Sequence, residues 1–234
     1  MAAPEHLEVG GLAIAVTRKD IRNVHLAVHP PDGRVTLTAP HHTRLDAARA
    51  YAITRLPWIR KQRARLLAQA RETPRQYVNR ESHYLWGERY LMRVEEAAAK
   101  PEVRLSPKHM TLRVRPGSDR DTRARVLHDF YRVQLHAAVP ELLADWARKM
   151  GLPVPRYFLQ RMKTKWGSCN VAAGTIRLNT ELAKKPRAHL AYVIAHELAH
   201  FIEPNHSAAF AAVLDEHYPG WQLARAELNA LPPG

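Results

Sequence analysis

A single cysteine, Cys169, stands in this 234-residue chain, which excludes an intrachain disulfide and suits a reducing compartment. A lone thiol of this kind is expected to act as a small buried hydrophobe rather than as a nucleophile or metal ligand. Missing too is any apolar run long enough to span a bilayer. The short stretch from Leu12 to Val16 lacks the cationic lead and the length of a signal peptide, so a cytoplasmic location without membrane contact is expected. Internal repeats and low-complexity tracts are not evident. Acidic side chains are the scarcest class relative to their opposites: 22 Asp and Glu face 36 Lys and Arg, a net charge of +14.

That excess is unevenly spread. Residues 51–80 hold Arg55, Arg60, Lys61, Arg63, Arg65, Arg71, Arg75 and Arg80 against Glu72 alone, a balance of +7. Such a block raises the local concentration of anions, so nucleic acid is a candidate partner through this segment; a solvated helix face is the plainer expectation. Residues 201–234 are mildly acidic, with Arg225 against Glu203, Asp215, Glu216 and Glu227.

The front of the chain reads as short strands: Leu12–Thr17, His25–Val28 and Arg34–Thr38, with Pro30-Pro31-Asp32-Gly33 as the turn between the last two. Thr43 with Asp46 marks a helix start, and a helical pattern runs to about Ala70 with a break at Pro57. Trp58, Ile59, Gln62, Leu66 and Leu67 supply its apolar edge. Two strand candidates, Tyr84–Val94 and Val103–Val114, precede Pro116-Gly117-Ser118-Asp119, and a long helix is expected from about Asp121 to Met150, kinked or split at Pro140. Gly151-Leu152-Pro153-Val154-Pro155 is a stiff connector. Helices from about Ser207 to His217 and from about Trp221 to Leu231 close the chain.

Ala195-His196-Glu197-Leu198-Ala199-His200 is the most informative run. Four-residue spacing puts His196 and His200 about 40° apart around a helix and one turn apart along it, so both rings can reach one tetrahedral ion. Their neighbours, among them Leu190, Val193, Ile194, Leu198, Phe201 and Ile202, leave almost no polar face, so this is the pattern of a buried helix starting at Pro186. Burying two imidazoles and a carboxylate is costly unless a cation satisfies them.

The spacing alone arises by accident in about one chain in twenty of this composition, so it needs support. The continuation Glu203-Pro204-Asn205-His206-Ser207 provides it: Pro204 is expected to end the helix and a second helix to return His206 to the pair. Three protein ligands with a fourth position open is the layout of a catalytic Zn2+ site. Glu197 then faces the open side, placed as general base for metal-assisted hydrolysis. Arg161, Lys165, His189 and Tyr218 are the candidates for stabilising a developing oxyanion.

Upstream, Lys165-Trp166-Gly167-Ser168-Cys169 and Ile176-Arg177-Leu178-Asn179 flank a short turn. Tyr157-Phe158-Leu159 and Ile176-Arg177-Leu178 are β-prone, so a hairpin before the metal helix is expected, with an edge able to hold an extended peptide.

These segments, with His196–His200 and the run Pro204 to Phe210, resemble the YgjP-like zinc metallopeptidase family, itself related to the SprT-like and WLM metalloproteases. The likeness extends forward through Val28–Val35, Trp58-Ile59 and His83–Tyr90. It implies zinc on His196, His200 and His206, with Glu197 as the acid/base, and hairpin residues lining a cleft for peptide or unfolded-protein substrates. Lys165 departs from the family pattern, which often carries arginine there: the charge survives, the planar fork does not.

The resulting expectation is an α+β protein: a β-rich amino-terminal region with a basic helix over 1–118, and a zincin-like catalytic domain over 119–234. A Zn2+ metallopeptidase is the leading reading. Two alternatives are a metal-dependent nucleoside triphosphate pyrophosphatase or phosphohydrolase, and a nucleic-acid-associated binding protein.

Overall fold

A computed structural model describes residues 5–29, 32–68 and 75–230, and shows a mixed α+β protein. Two compact units divide the chain, Met1–Ala70 and Arg71–Gly234.

In the first unit, β1 (Glu5–Val9), β2 (Leu12–Lys19), β3 (His25–His29) and β4 (Arg34–Pro40) form a sheet of order β1-β2-β4-β3. β2 and β4 run parallel at its centre, and each carries an antiparallel neighbour. Alternation along the central strands turns Ile14, Val16, Val35, Leu37 and Ala39 inward. They meet Ala48 of α1 (Leu45–Thr54) and Ile59 of α2 (Leu56–Ala68) in one core. The helices part at Arg55, directly before Leu56-Pro57, where proline fits a first turn because its missing N–H has no partner there anyway. The apolar edge of α2 is narrower than its sequence suggests: Ile59 is buried, whereas Trp58 and Leu67 are exposed. The side chain of Leu66 and the turn residues Pro30 and Pro31 lie outside the described residues.

The second unit opens with β5 (Ser82–Leu85), β6 (Glu88–Glu96), β7 (Glu102–Leu105) and β8 (His109–Val114), in the order β5-β6-β8-β7. Each of the two strand candidates read over 84–94 and 103–114 is therefore a hairpin. This sheet repeats the topology of the first, a parallel central pair flanked by antiparallel neighbours. Even the first turns correspond: Gly10-Gly11 and Trp86-Gly87 are two-residue connections with positive φ at both positions. Trp86 tolerates φ +52° because its N–H is held 2.8 Å from the carbonyl of Ala183. The chain thus carries a structural repeat that its divergent sequence conceals.

α3 (Arg120–Lys149) is a single 30-residue helix, capped by the Asp119 carboxylate accepting from Thr122 N–H at 2.8 Å. Pro140 lies inside it without splitting it, since the element continues on both sides. Leu127, Tyr131, Leu135, Val139, Leu143 and Ala147 form its buried face and share one core with Met92, Met110 and Leu112 of the second sheet. The division at residue 118 expected from sequence is therefore not where the compact units part: the second sheet buries its face within the carboxy-terminal unit.

After α3 come β9 (Arg156–Gln160), β10 (Gly167–Asn170) and β11 (Thr175–Asn179), ordered β10-β11-β9. The hairpin is β10–β11; β9 and β11, expected to be its arms, run parallel. β11 is central and buried at Ile176 and Leu178, so each neighbour pairs on a separate edge and the 161–166 loop must carry the chain from one edge to the other. A 3₁₀ turn over Thr180–Lys184 leads to α4 (Arg187–Ala199), then α5 (Ala208–His217) and α6 (Trp221–Ala230). Among the described residues no helix is long and apolar enough to cross a membrane.

Candidate metal centre

α4 is apolar on nearly every side: Leu190, Val193, Ile194, Ala195, Leu198 and Ala199 are all buried. His196 projects from its last turn, and His200, still in right-handed helical conformation (φ −66°, ψ −18°), caps its end. The helix stops before Pro204 rather than at it: Ile202 and Glu203 N–H both fold back on the Ala199 carbonyl, closing the terminus. Ser207 then caps α5 by accepting from Phe210 N–H at 3.3 Å, which leaves His206 on the connecting loop directly ahead of that helix.

The three imidazoles converge. One ring nitrogen from each of His196, His200 and His206 lies within 4.8 Å of the others, and Nε2 of His196 is 3.1 Å from Nε2 of His206. Tetrahedral zinc with bonds of about 2.05 Å separates its ligand atoms by roughly 3.3 Å, so the donor set fits that ion. Nδ1 of His200 points to the Glu203 carbonyl at 3.4 Å, which frees its Nε2 for the shared centre. Phe210 backs the cluster, its ring centroid 5.0, 4.6 and 4.8 Å from the three imidazoles in turn. Burial, reinforced by the neighbouring imidazoles, pushes His196 down to about 4 and lowers His200 in the same direction. Both are therefore neutral at pH 7, the form that binds metal.

Glu197, next to His196 on the helix, packs against Gly167 of β10 and is 5% exposed. Burial pushes its carboxyl up to about 8, against the opposing pull of the Lys165 ammonium. Its packing explains a residue that no turn requires. A Cβ at Gly167 would sit 2.4 Å from Oε1 of Glu197 and 2.8 Å from its Cγ, so only glycine leaves room for the carboxyl.

Of the four cationic or phenolic candidates, Lys165 is the one whose charge acts on Glu197. Arg161 reaches Oε1 of Glu181 at 3.7 Å. His189 is buried and pairs with Glu227 on α6 at 3.2 Å. Tyr218 donates to the Ala188 carbonyl at 3.4 Å and stacks on Trp146. Cys169 lies outside the histidine cluster, and burial, aided by the Glu197 charge, pushes its thiol up to about 11, so it stays protonated and is neither thiolate ligand nor nucleophile at neutral pH.

Two contributors escaped sequence reading, Gly167 and Asn179. Asn179 ends β11 and accepts from Glu181 N–H at 3.1 Å, a cap whose signal was present as an asparagine before Thr180-Glu181-Leu182. The basic block is divided between the two units. Arg55, Arg60 and Lys61 are exposed on the first unit, Arg75 and Arg80 belong to the second, and Arg71 and the Arg65 side chain lie outside the described residues.

Comparison with known proteins adds to this geometry. No curated protein matches the chain. Two solved structures are similar to part of it: the metallopeptidase zymogen abylysin of Pyrococcus abyssi, 22% identical with a TM-score of 0.36, over 38% of this chain and 90% of that one; and the metallopeptidase zymogen jannalysin of Methanocaldococcus jannaschii, 23% identical with a TM-score of 0.34, over 38% and 84%. A family match spans residues 22–231, described as YgjP-like, metallopeptidase domain. With almost its whole length matched, the chain belongs to the YgjP-like family of metallopeptidase domains.

Proposed function

We propose that this protein is a zinc-dependent peptidase acting on extended or unfolded protein segments, with His196, His200 and His206 as metal ligands and Glu197 as general base. The observation that carries the reading is the convergence of three imidazole nitrogens within 4.8 Å at the end of a buried helix whose intervening residue is a buried carboxyl group. The chemistry supplied by bound zinc is Lewis-acid polarisation and a lowering of the pKa of water from about 15.7 toward 7. Glu197 receives the proton of the attacking water and passes it to the departing amine. Burial favours the protonated carboxyl in the metal-free protein; the Lys165 ammonium opposes it, and a bound cation would do so further, toward the carboxylate form that this requires. β10, on the outer edge of its sheet, offers unpaired backbone groups along which an extended substrate can lie as a further strand. Family membership directs the reading toward peptide bonds rather than nucleoside triphosphates. One cysteine in the whole chain suits action in the cytoplasm.

Glu197→Gln is the direct test. The variant keeps its zinc, measured by elemental analysis, while cleavage of casein or a peptide library falls by at least about a hundredfold. Retained turnover in a metal-replete variant rejects the mechanism. Phosphate or pyrophosphate release from nucleoside triphosphates, without peptide cleavage by the wild type, rejects the substrate class.

A further inference from the structure

The segment joining β9 to β10, residues 161–166, has no regular secondary structure, yet it sets the position of Gly167, against which the Glu197 carboxyl packs. Six irregular residues do not hold such a placement by themselves. The tether from Arg161 to Glu181, 3.7 Å long and open to water on the arginine side, adds little.

Asn179 supplies the missing constraint. It is fully buried, and every hydrogen-bonding position of its amide is used. Nδ2 donates to the carbonyls of Met162 and Lys165, each at 2.8 Å, and Oδ1 accepts from the N–H groups of Met162 at 3.3 Å and Glu181 at 3.1 Å. Its own N–H donates to the Trp166 carbonyl at 2.8 Å. One residue thus grips the loop at 162, 165 and 166, on both sides of the lysine.

We infer that Asn179 is a positioning residue of this site: its amide locks the 162–166 backbone so that Gly167 stays where it receives the Glu197 carboxyl. The assignment rests on the reading of Glu197 as general base. Asn179 is not part of the histidine cluster, so its loss leaves the metal ligands in place.

The experiment uses the full-length, zinc-loaded protein carrying Asn179→Ser or Asn179→Asp, each with and without Gly167→Ala. Zinc content stays as in wild type. Amide hydrogen exchange across 161–167 speeds up by roughly tenfold while that of α4 is unchanged. On the best-cleaved peptide, kcat falls by about tenfold with KM within about twofold, because the group moved acts on the base rather than on substrate binding. Gly167→Ala costs far less in the Asn179 variants than in wild type, since a glycine already displaced from the carboxyl has little left to lose. Unchanged exchange at 161–167, or losses that multiply independently, overturns the inference; so does loss of zinc or of the fold in both variants, which makes Asn179 a core residue only. A wild-type chain that cleaves no peptide defeats the proposed function instead, and the exchange measurement still decides whether Asn179 holds the loop.

Discussion

Glu197 and Gly167 are complementary, and each makes a prediction about the other. Gly167→Ala places a methyl group 2.4 Å from Oε1 of Glu197, a separation that cannot persist. The carboxyl must rotate away or β10 must retreat; zinc content is expected to be unchanged, peptidase activity to fall by at least about tenfold, and stability to drop by about 1–3 kcal/mol in denaturant melts. The raised pKa of Glu197 makes a second prediction for metal-free protein. Folded, the carboxyl titrates at about 8, and its ordinary value is 4.5, so between those limits the folded state holds more protons than the unfolded state. Its contribution to stability is therefore lost as pH rises from about 4.5 to 8. Glu197→Gln lacks this titration, so metal-free wild type should lose ground to it on going from about pH 5 to about pH 8, by an amount on the order of a few kcal/mol. A constant difference across that range refutes the burial argument. The convergence of His196 and His200 around a buried Glu197 was legible in sequence because histidine spacing on a helix is a local property. The need for glycine at 167 was not, because it depends on a carboxyl thirty positions later in the chain.

Helices declare themselves by local pattern, α5 and α6 by one apolar face and α4 by an almost unbroken apolar run, and all three lie where the sequence puts them. Strand partners do not, because pairing is a property of two distant segments. Thus Tyr157-Phe158-Leu159 and Ile176-Arg177-Leu178 were recognisable as strands while their parallel arrangement was not. Tight turns were hidden for a related reason: Trp86 is an unexpected residue for φ +52°, and a bond from another segment holds it there. Pro140 shows tertiary burial overriding local preference. The proline is exposed to solvent while Val139 and Leu143 are buried on either side, and that inner face keeps α3 continuous despite a lost backbone hydrogen bond. Pro140→Ala restores the missing donor and is expected to stabilise the protein by about 1–3 kcal/mol, read as a higher denaturant midpoint with activity unchanged. A lower midpoint means that the proline contributes something the helix alone does not show.

At the scale of the whole chain, two separate hydrophobic cores correspond to the two units, one built on the first sheet and one shared by the second sheet, α3 and the metal helix. The units part at 70–71 rather than at the Pro-Gly turn of 116–117, which resembles a linker in sequence, because strands β5–β8 are buried with α3 and the elements beyond it. Calorimetry should resolve two unfolding transitions. Zinc at about a hundred times its dissociation constant should stabilise the unit containing His196 by about 2.7 kcal/mol and leave the other transition where it was. A shift of both together shows that the units unfold as one. The doubled sheet carries its own consequence. Ile14 and Val35 pair at the centre of the first sheet as Met92 and Met110 do at the centre of the second, so a strand from either half finds a plausible but wrong groove in the other. At that central pair the two halves carry different shapes, branched aliphatics in one and thioethers in the other, so a misplaced strand would not pack as its own partner does.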